Sequence, residues 1–455
     1  LYTNRCGKPV DELWTNLGPE VINISYTGSR SIIHRVIQID FSSISAFLTG
    51  FSTYPQPLRL RLRIFTIFFL YKQTHQTVRK GELSTIMKLV FDKADLVKSV
   101  GIAMKAVSGK TTMPILECIL IDASSNVIKF TSNDMELGIE TIVTGMILER
   151  GIVALDAKIF SEIVRKLPDN QVTIETDENL VTTITCEKAK FNIPGQSGED
   201  FSYLPILETS DCVSISQFTL KELIRQTIFS IAANENNKLM TGELFEIKDN
   251  TLRVVSLDGH RIAIRRIELK DSYPDRKVVV PGKTLNEISK ILSGEMDDQI
   301  DIYFSENHIM FKFDDTTVVS RLIDGEYFRI DQMLSSDYET KVTINKKEFL
   351  SCIDRATLLV KEGDKKPIII DIQDGAMELQ INSAMGSMKE EIDINKEGKD
   401  IMIGFNPKFL IDALRVIDDE EISIYLVNPK APCFIRNEEE SYIYLILPVN
   451  FNSVR

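Results

Sequence analysis

From residue 87 onward, apolar and polar positions follow a recurring order: a short alternating strand, an amphipathic helix, several more strands, a second helix, and strands again. The first strand–helix pair reads 88–91 followed by Asp95-Leu96-Val97-Lys98. It returns as 213–218 with Glu222-Leu223-Ile224-Arg225, and as 341–345 with Glu348-Phe349-Leu350-Ser351. The second pair reads Val153-Ala154-Leu155-Asp156-Ala157-Lys158-Ile159-Phe160, then Val278-Val279-Val280-Pro281-Gly282-Lys283-Thr284-Leu285, then Met402-Ile403-Gly404-Phe405-Asn406-Pro407-Lys408-Phe409. Strand-like runs at 119–122, 244–248 and 368–372 lie between the two helices of each copy, and others at 171–175, 299–304 and 421–426 follow the second helix. The pattern predicts an α+β chain: three tandem repeats of a two-helix, multi-strand domain, with a period near 125 residues. The units are expected at 87–208, 209–334 and 335–455, with polar linkers around 208–211 and 335–339.

On a helical wheel the second helices have an apolar face and a basic one. Phe160, Ile163, Val164 and Leu167 oppose Lys158 and Arg165; Leu285, Ile288 and Leu292 oppose Lys283 and Lys290; Phe409, Leu410, Ala413 and Ile417 oppose Lys408 and Arg415. These basic pairs recur at intervals of 125 residues in both steps. The first helices add Lys98 with Lys105 and Lys221 with Arg225, while the third, with Lys347 near Asp354, is weaker. One such helix would read as a solvated surface; recurrence on most of six equivalent helices reads as a basic wall. Lysine and arginine on long stems neutralise phosphates without reading bases, which suits sequence-independent contact with double-stranded DNA.

Residues 1–86 differ in character. They hold ten Lys or Arg against five Asp or Glu, so the rest of the chain carries about −18 of a total of −13. Lys80-Gly81-Glu82, a few codons before Met87, is what a purine-rich ribosome-binding site spells when translated. The expectation is that 1–86 is a disordered, non-native upstream extension and that the natural protein starts at Met87. The competing reading is a targeting segment, but the apolar run at 64–71 sits too deep for a signal peptide.

With 43% hydrophobic and 26% charged residues the chain is of globular type, and no run reaches the roughly 18 apolar residues that span a bilayer. Six scattered cysteines without a C-x-x-C pair argue for reduced thiols in a cytoplasm and against a structural zinc site. Catalytic constellations are lacking. Ser108-Gly109-Lys110-Thr111 holds the G-K-T of a phosphate loop, yet Met104 stands where the motif needs its first glycine and a helix precedes it. Lys110 is better read as a loop residue presented to DNA. Asp258-Gly259-His260-Arg261 lacks a nucleophile, and Asp297-Asp298 and Glu438-Glu439-Glu440 lack metal-ligand spacing. No cofactor, metal or catalytic residue is called. A metal-dependent nuclease or nucleotidyltransferase thus finds no support, and a peptide-binding scaffold that ignores DNA is the alternative.

Met113-Pro114-Ile115-Leu116, Thr131-Ser132-Asn133-Asp134-Met135-Glu136-Leu137, Leu244-Phe245-Glu246, Asp258-Gly259-His260-Arg261, Leu322-Ile323-Asp324-Gly325, Ile403-Gly404-Phe405-Asn406 and Leu445-Ile446-Leu447-Pro448-Val449 occur in order along the chain. Through them the chain resembles the beta subunits of bacterial DNA polymerase III, the sliding-clamp family, over nearly all of 87–449. The resemblance implies a head-to-tail homodimer closing around duplex DNA, with helices lining the channel. It implies a non-catalytic processivity subunit that tethers the polymerase III catalytic subunit and also docks the clamp loader, other polymerases and repair proteins. Their short motifs would enter a pocket that maps to Met240, Leu257, Gly259, His260, Arg261, Ile262, Phe328, Met333, Asn406, Phe409, Leu447, Pro448 and Val449. Lys110 falls where the family has a DNA-contacting basic residue. The family's aromatic-proline pair is replaced by Glu326-Tyr327-Phe328-Arg329, which bears on Phe328 and Met333 as pocket walls, and 450–455 run past the usual end.

Overall fold

In each third of the chain a strand runs into a helix whose first turn is closed by a short polar side chain. The computed structural model describes residues 87–109, 111–207, 212–233, 237–360 and 366–451; the expectations for 1–86, for Lys110 and for the 208–211 linker lie outside them. The first third comprises β1 (Met87–Asp92), α1 (Lys93–Ala103), β2 (Cys118–Asp122), β3 (Ile128–Asn133), β4 (Leu137–Val143), β5 (Met146–Glu149), β6 (Ile152–Asp156), α2 (Ala157–Lys166), β7 (Gln171–Thr176), β8 (Val181–Cys186) and β9 (Ala189–Gln196). The second comprises β10 (Cys212–Ser216), α3 (Gln217–Arg225), β11 (Gly242–Leu257), β12 (Arg261–Pro281), α4 (Gly282–Ser289), β13 (Gln299–Phe304), β14 (His308–Phe313) and β15 (Thr316–Arg321). The third comprises β16 (Thr340–Asn345), α5 (Lys346–Thr357), β17 (Ile368–Gln373), β18 (Ala376–Ser383), β19 (Gly386–Asp393), β20 (Asn395–Gly398), β21 (Ile401–Phe405), α6 (Pro407–Val416), β22 (Glu421–Leu426), β23 (Cys433–Arg436) and β24 (Tyr442–Ile446).

Among the described residues, five of the six α-helices begin at an Asp, Ser or Asn that accepts a hydrogen bond from a backbone N–H otherwise left unpaired. Asp92 takes Ala94 N at 2.9 Å, Asp156 takes Ile159 N at 2.7 Å, Ser216 takes Thr219 N at 3.0 Å, Asn345 takes Glu348 N at 3.1 Å and Asn406 takes Lys408 N at 3.0 Å. Only α4 starts without one, after Pro281. The Ser216 cap corrects one expectation: the strand read at 213–218 stops at Ser216, and Gln217 and Phe218 already belong to α3.

Pairing shows that each third is itself built twice. The strand before one helix pairs with the first strand after the other: β1 with β7 and β6 with β2, and likewise β16 with β22 and β21 with β17. In the middle third β10 pairs with β13, and the end of β12 pairs with the start of β11, from Gly242↔Pro281 to Ile247↔Arg276. This half-repeat was not read from the sequence, because its two halves share a pattern of pairing rather than of residues.

The thirds join through their sheets. At the first seam β4 and β15 pair antiparallel, Thr316↔Thr141 to Ser320↔Leu137, and the two threonine hydroxyls hydrogen-bond at 2.9 Å. At the second seam β12 and β24 pair from Arg261↔Ile446 to Arg265↔Tyr442. Each third keeps its own apolar core, and a further cluster fills the second seam: Leu244, Val255, Leu257 and Ile262 on one side, Tyr425, Phe434, Ile443 and Leu445 on the other. Each such side chain contributes on the order of 1.5–3 kcal/mol on leaving water, so the seam is held by packing as well as by backbone pairing.

Candidate nucleic-acid and peptide-binding sites

The apolar stripes of the six helices are buried and their basic positions point outward, but not all the cations are free. On α2, Lys158 and Arg165 are exposed, and Arg165 donates to its own helix at Ser161 Oγ, 2.6 Å away. Lys98 on α1 and Lys408 on α6 are exposed, Lys105 is half-buried beyond the end of α1, and none of the three makes an ion pair among the described residues.

The other cations have local partners. Lys283 on α4 pairs across the first seam with Asp134. Lys290 is the residue that ends α4, and it pairs with Glu287 at 2.7 Å. Arg225 forks onto Glu222 at 2.5 Å and onto Asp418, across the second seam, at 2.9 Å; the hydrogen bond to Glu222 leads in pushing its guanidinium still higher. Arg415 meets Asp354 at 3.3 Å, and Lys221 donates to the Leu292 carbonyl at 3.3 Å. A cation with a nearby carboxylate offers a phosphate less net charge, and Lys98, Lys105, Lys158, Arg165 and Lys408 have no carboxylate partner among the described residues.

Most of the residues mapped to the peptide pocket lie at the second seam. The turn between β11 and β12 is shaped by Asp258, which accepts from His260 N at 3.0 Å and Arg261 N at 3.1 Å, while Gly259 takes φ +84°. That left-handed conformation costs glycine little and most other residues much more. The turn sets the His260 ring 5.9 Å from that of Phe409 on α6.

Arg261 itself is buried. It donates to Asp258 at 3.0 Å, to Asp412 of α6 at 2.7 Å and to the Phe229 carbonyl at 2.5 Å, and its Cζ lies 4.5 Å from the Phe409 ring centre and 5.3 Å from that of Phe229. Leu257 and Ile262 are buried in the seam cluster, and Met240 and Phe328 pack half-buried against it. Leu447 N donates to the His260 carbonyl at 2.9 Å and Val449 N to the Gly404 carbonyl at 2.8 Å, which lays the tail across both sides of the seam. Leu447 is exposed, and Pro448 and Val449 are half-buried.

Two mapped residues stand apart. Met333 is 46% exposed, and Leu334 rather than Met333 packs against the cluster. Asn406 is the cap of α6, so its carboxamide oxygen already serves the helix. Sequence reasoning missed Phe229, Asp412, Tyr327 and Leu334. Tyr327 is buried and donates to the Val255 carbonyl at 3.4 Å, with Phe328 edge-on to it at 5.6 Å. An acidic residue at the position of Asp412 also occurs in the two equivalent helices, as Glu162 and Glu287, so nothing in the sequence marked it as the partner of a buried arginine.

Among the described residues no group of three or more His, Cys, Asp or Glu is placed to hold a metal, and no helix is long and apolar enough to cross a membrane. At the second seam apolar side chains lie beside a few fixed polar groups, the kind of lining that suits a short peptide segment.

Comparison with known proteins agrees with this architecture. The chain matches the DNA polymerase III beta subunit in three pieces: its N-terminal domain over residues 87–205, its central domain over 214–328 and its C-terminal domain over 331–450. It is 33% identical over 375 residues to the beta sliding clamp of Staphylococcus epidermidis, covering 80% of this chain and 99% of that protein. Among solved structures, a putative DNA polymerase III beta subunit from Eubacterium rectale is 72% identical with a TM-score of 0.79, covering 80% of this chain and all of that one. The DNA polymerase sliding clamp of Bacillus subtilis is 35% identical with a TM-score of 0.77, covering 80% and 99%. With its three clamp domains in order, the chain belongs to the DNA polymerase III beta-subunit family, the beta sliding clamps.

Proposed function

We propose that two copies of the chain close head to tail into a ring around duplex DNA, and that the second-seam cleft of each copy docks the polymerase and other clamp-binding proteins. As a family member the chain is a processivity subunit, and its effect on synthesis is topological rather than catalytic. The observation that carries the ring is the identical construction of the two seams. Each is made from the third strand of a half-repeat: β4 with β15, then β12 with β24. The remaining third strands are β9 of the first domain and β19 of the third. Residues 189–194 of β9 pair only with β8, and β19 pairs only with β18, so each has an open edge among the described residues.

The same antiparallel joint, formed between copies, uses both edges and makes three equivalent joints per chain. Charge supports it: β19 carries Glu391 and Asp393 beyond Glu390, which Arg355 already pairs, and Lys389, which pairs with Glu378, while Lys188 and Lys190 stand exposed at the start of β9. Once closed, the ring keeps its DNA by enclosure, so the exposed lysines need only weak, salt-sensitive phosphate contacts that permit sliding. Work on DNA through such a ring places the protein in the bacterial cytoplasm. Griselimycin is bound to the sliding clamp of Pseudomonas aeruginosa in a solved structure, and the docking reading can be probed by asking whether it binds this chain too.

The test is retention on DNA. The protein is loaded onto nicked circular plasmid with a bacterial clamp loader, half the plasmid is linearised, and both halves are filtered in moderate salt. Retention on the circle with loss from the cut DNA is the expected result. Equal retention on both would mean ordinary electrostatic binding and overturn the ring.

A further inference from the structure

Three strand positions spaced 125 residues apart, Ala154, Val279 and Gly404, each receive the chain returning from the last strand of their half-repeat. Gln196 pairs with Ala154, Ile323 N donates to the Val279 carbonyl at 2.9 Å, and Val449 N donates to the Gly404 carbonyl at 2.8 Å. Ala154 and Val279 carry buried side chains, and Val279 packs in the cluster of the second seam. Gly404 carries none, and the space beside it is filled from the tail. A Cβ at Gly404 would lie 2.8 Å from Phe451 Cδ1 and 2.9 Å from the Val449 carbonyl oxygen, too close for any side chain unless the tail moves.

Phe451 stands two residues beyond Val449, and the corresponding place two residues beyond Ile323 is Gly325. One joint therefore has its side chain on the strand and a glycine on the returning chain, and the other has the reverse. The tail that Phe451 ends up holding carries residues mapped to the peptide pocket. Leu447 N donates to the His260 carbonyl at 2.9 Å, and Pro448, between that bond and the one from Val449, has no N–H to add. Single hydrogen bonds open to water hold a backbone only modestly, whereas an aromatic ring packed on a glycine adds a large apolar contact.

We propose that Phe451, seated on Gly404, is a positioning residue for docking: it fixes residues 447–449 across the second seam and with them the Pro448 and Val449 side chains. The seating itself stands on the geometry of the tail; its consequence for partners rests on the peptide-docking reading, so the test has two arms.

Hydrogen exchange at the Leu447 and Val449 amides reads the seating without any ligand. Phe451→Ala is expected to bring both amides close to the rates of an unstructured peptide while amides within β24 stay protected, and Phe451→Leu, which keeps a large apolar side chain, to retain most of the protection. Gly404→Val, which places the first seam's side chain on the strand, is expected to displace the tail in the same way. Gly404→Val combined with Phe451→Gly, the first seam's full arrangement, is expected to restore protection. Phe451→Ala exchanging as slowly as wild type would overturn the proposal, as would a double variant no better protected than Gly404→Val. Should the Gly404 variants fail to fold, the two Phe451 variants decide.

In the second arm griselimycin is titrated into wild type, Phe451→Ala and Phe451→Leu. Apparent affinity falls with the fraction of molecules whose tail is in place, so a tail held about one-tenth of the time in Phe451→Ala gives about a tenfold loss, with Phe451→Leu within about threefold of wild type. Equal affinities while the amides of Phe451→Ala lose protection would overturn the link to docking. Failure of griselimycin to bind the wild type would count against the docking reading itself, with exchange still deciding whether Phe451 holds the tail.

Discussion

Arg261 shows how one residue ties two domains. Its guanidinium is buried, shared between Asp258 of its own turn and Asp412 of α6, and sandwiched by Phe229 and Phe409. Replacing it leaves two carboxylates in a protected place without their cation, and breaking a buried pair in this way costs about 3–5 kcal/mol. Arg261→Met is expected to lower the unfolding free energy read from urea titration by that amount; Asp412→Asn, which keeps the other partners, should cost clearly less. The cysteines give a second residue-scale outcome. Burial leads in pushing Cys118 up to about 11 and Cys352 and Cys433 up to about 12, so little thiolate exists near neutral pH. Cys212, only half-buried, is expected to be alkylated first among the described cysteines, as read by peptide mapping after brief iodoacetamide treatment.

At the scale of elements, the 125-residue repetition of basic pairs correctly located the second helices, because a stripe opposite an apolar face needs only the 3.6-residue period to be seen. It could not show which cations are paired. Lys283 and Asp134 lie 149 positions apart and meet only because β4 and β15 join two domains. The consequence is testable with a short duplex. Lys158→Gln and Lys408→Gln are each expected to lower the slope of log affinity against log salt by about 1, while Lys283→Gln changes it less. Fluorescence anisotropy over a salt series reads this, and equal slopes for all three would contradict the ranking. The residues proposed for the pocket could be picked out only through family motifs. They come from the β11–β12 turn, the segment after α3, α6 and the tail, and no local period links such distant pieces.

For the whole molecule the decisive feature is the pair of open third-strand edges. Phe191 on β9 is 40% exposed on the strand that the ring model uses for closure. Phe191→Asp places a charge in that joint, and sedimentation equilibrium is expected to show a shift from dimer toward monomer with the helical content unchanged. A dimer as strong as the wild type would mean that β9 does not form the joint. The sequence by itself determined the threefold repeat, the α+β class, the apolar faces of the helices and the family, because each is written in local periodicity or in contiguous motifs. Tertiary structure alone decided that each domain is a doubled half-repeat, that Arg261 is buried against Asp412, and that, among the described residues, the Glu243 carboxyl is buried without a hydrogen-bond partner and β9 and β19 keep open edges. These depend on strand pairing and burial between residues far apart in the chain, and one position in a sequence carries no record of which distant backbone will lie beside it.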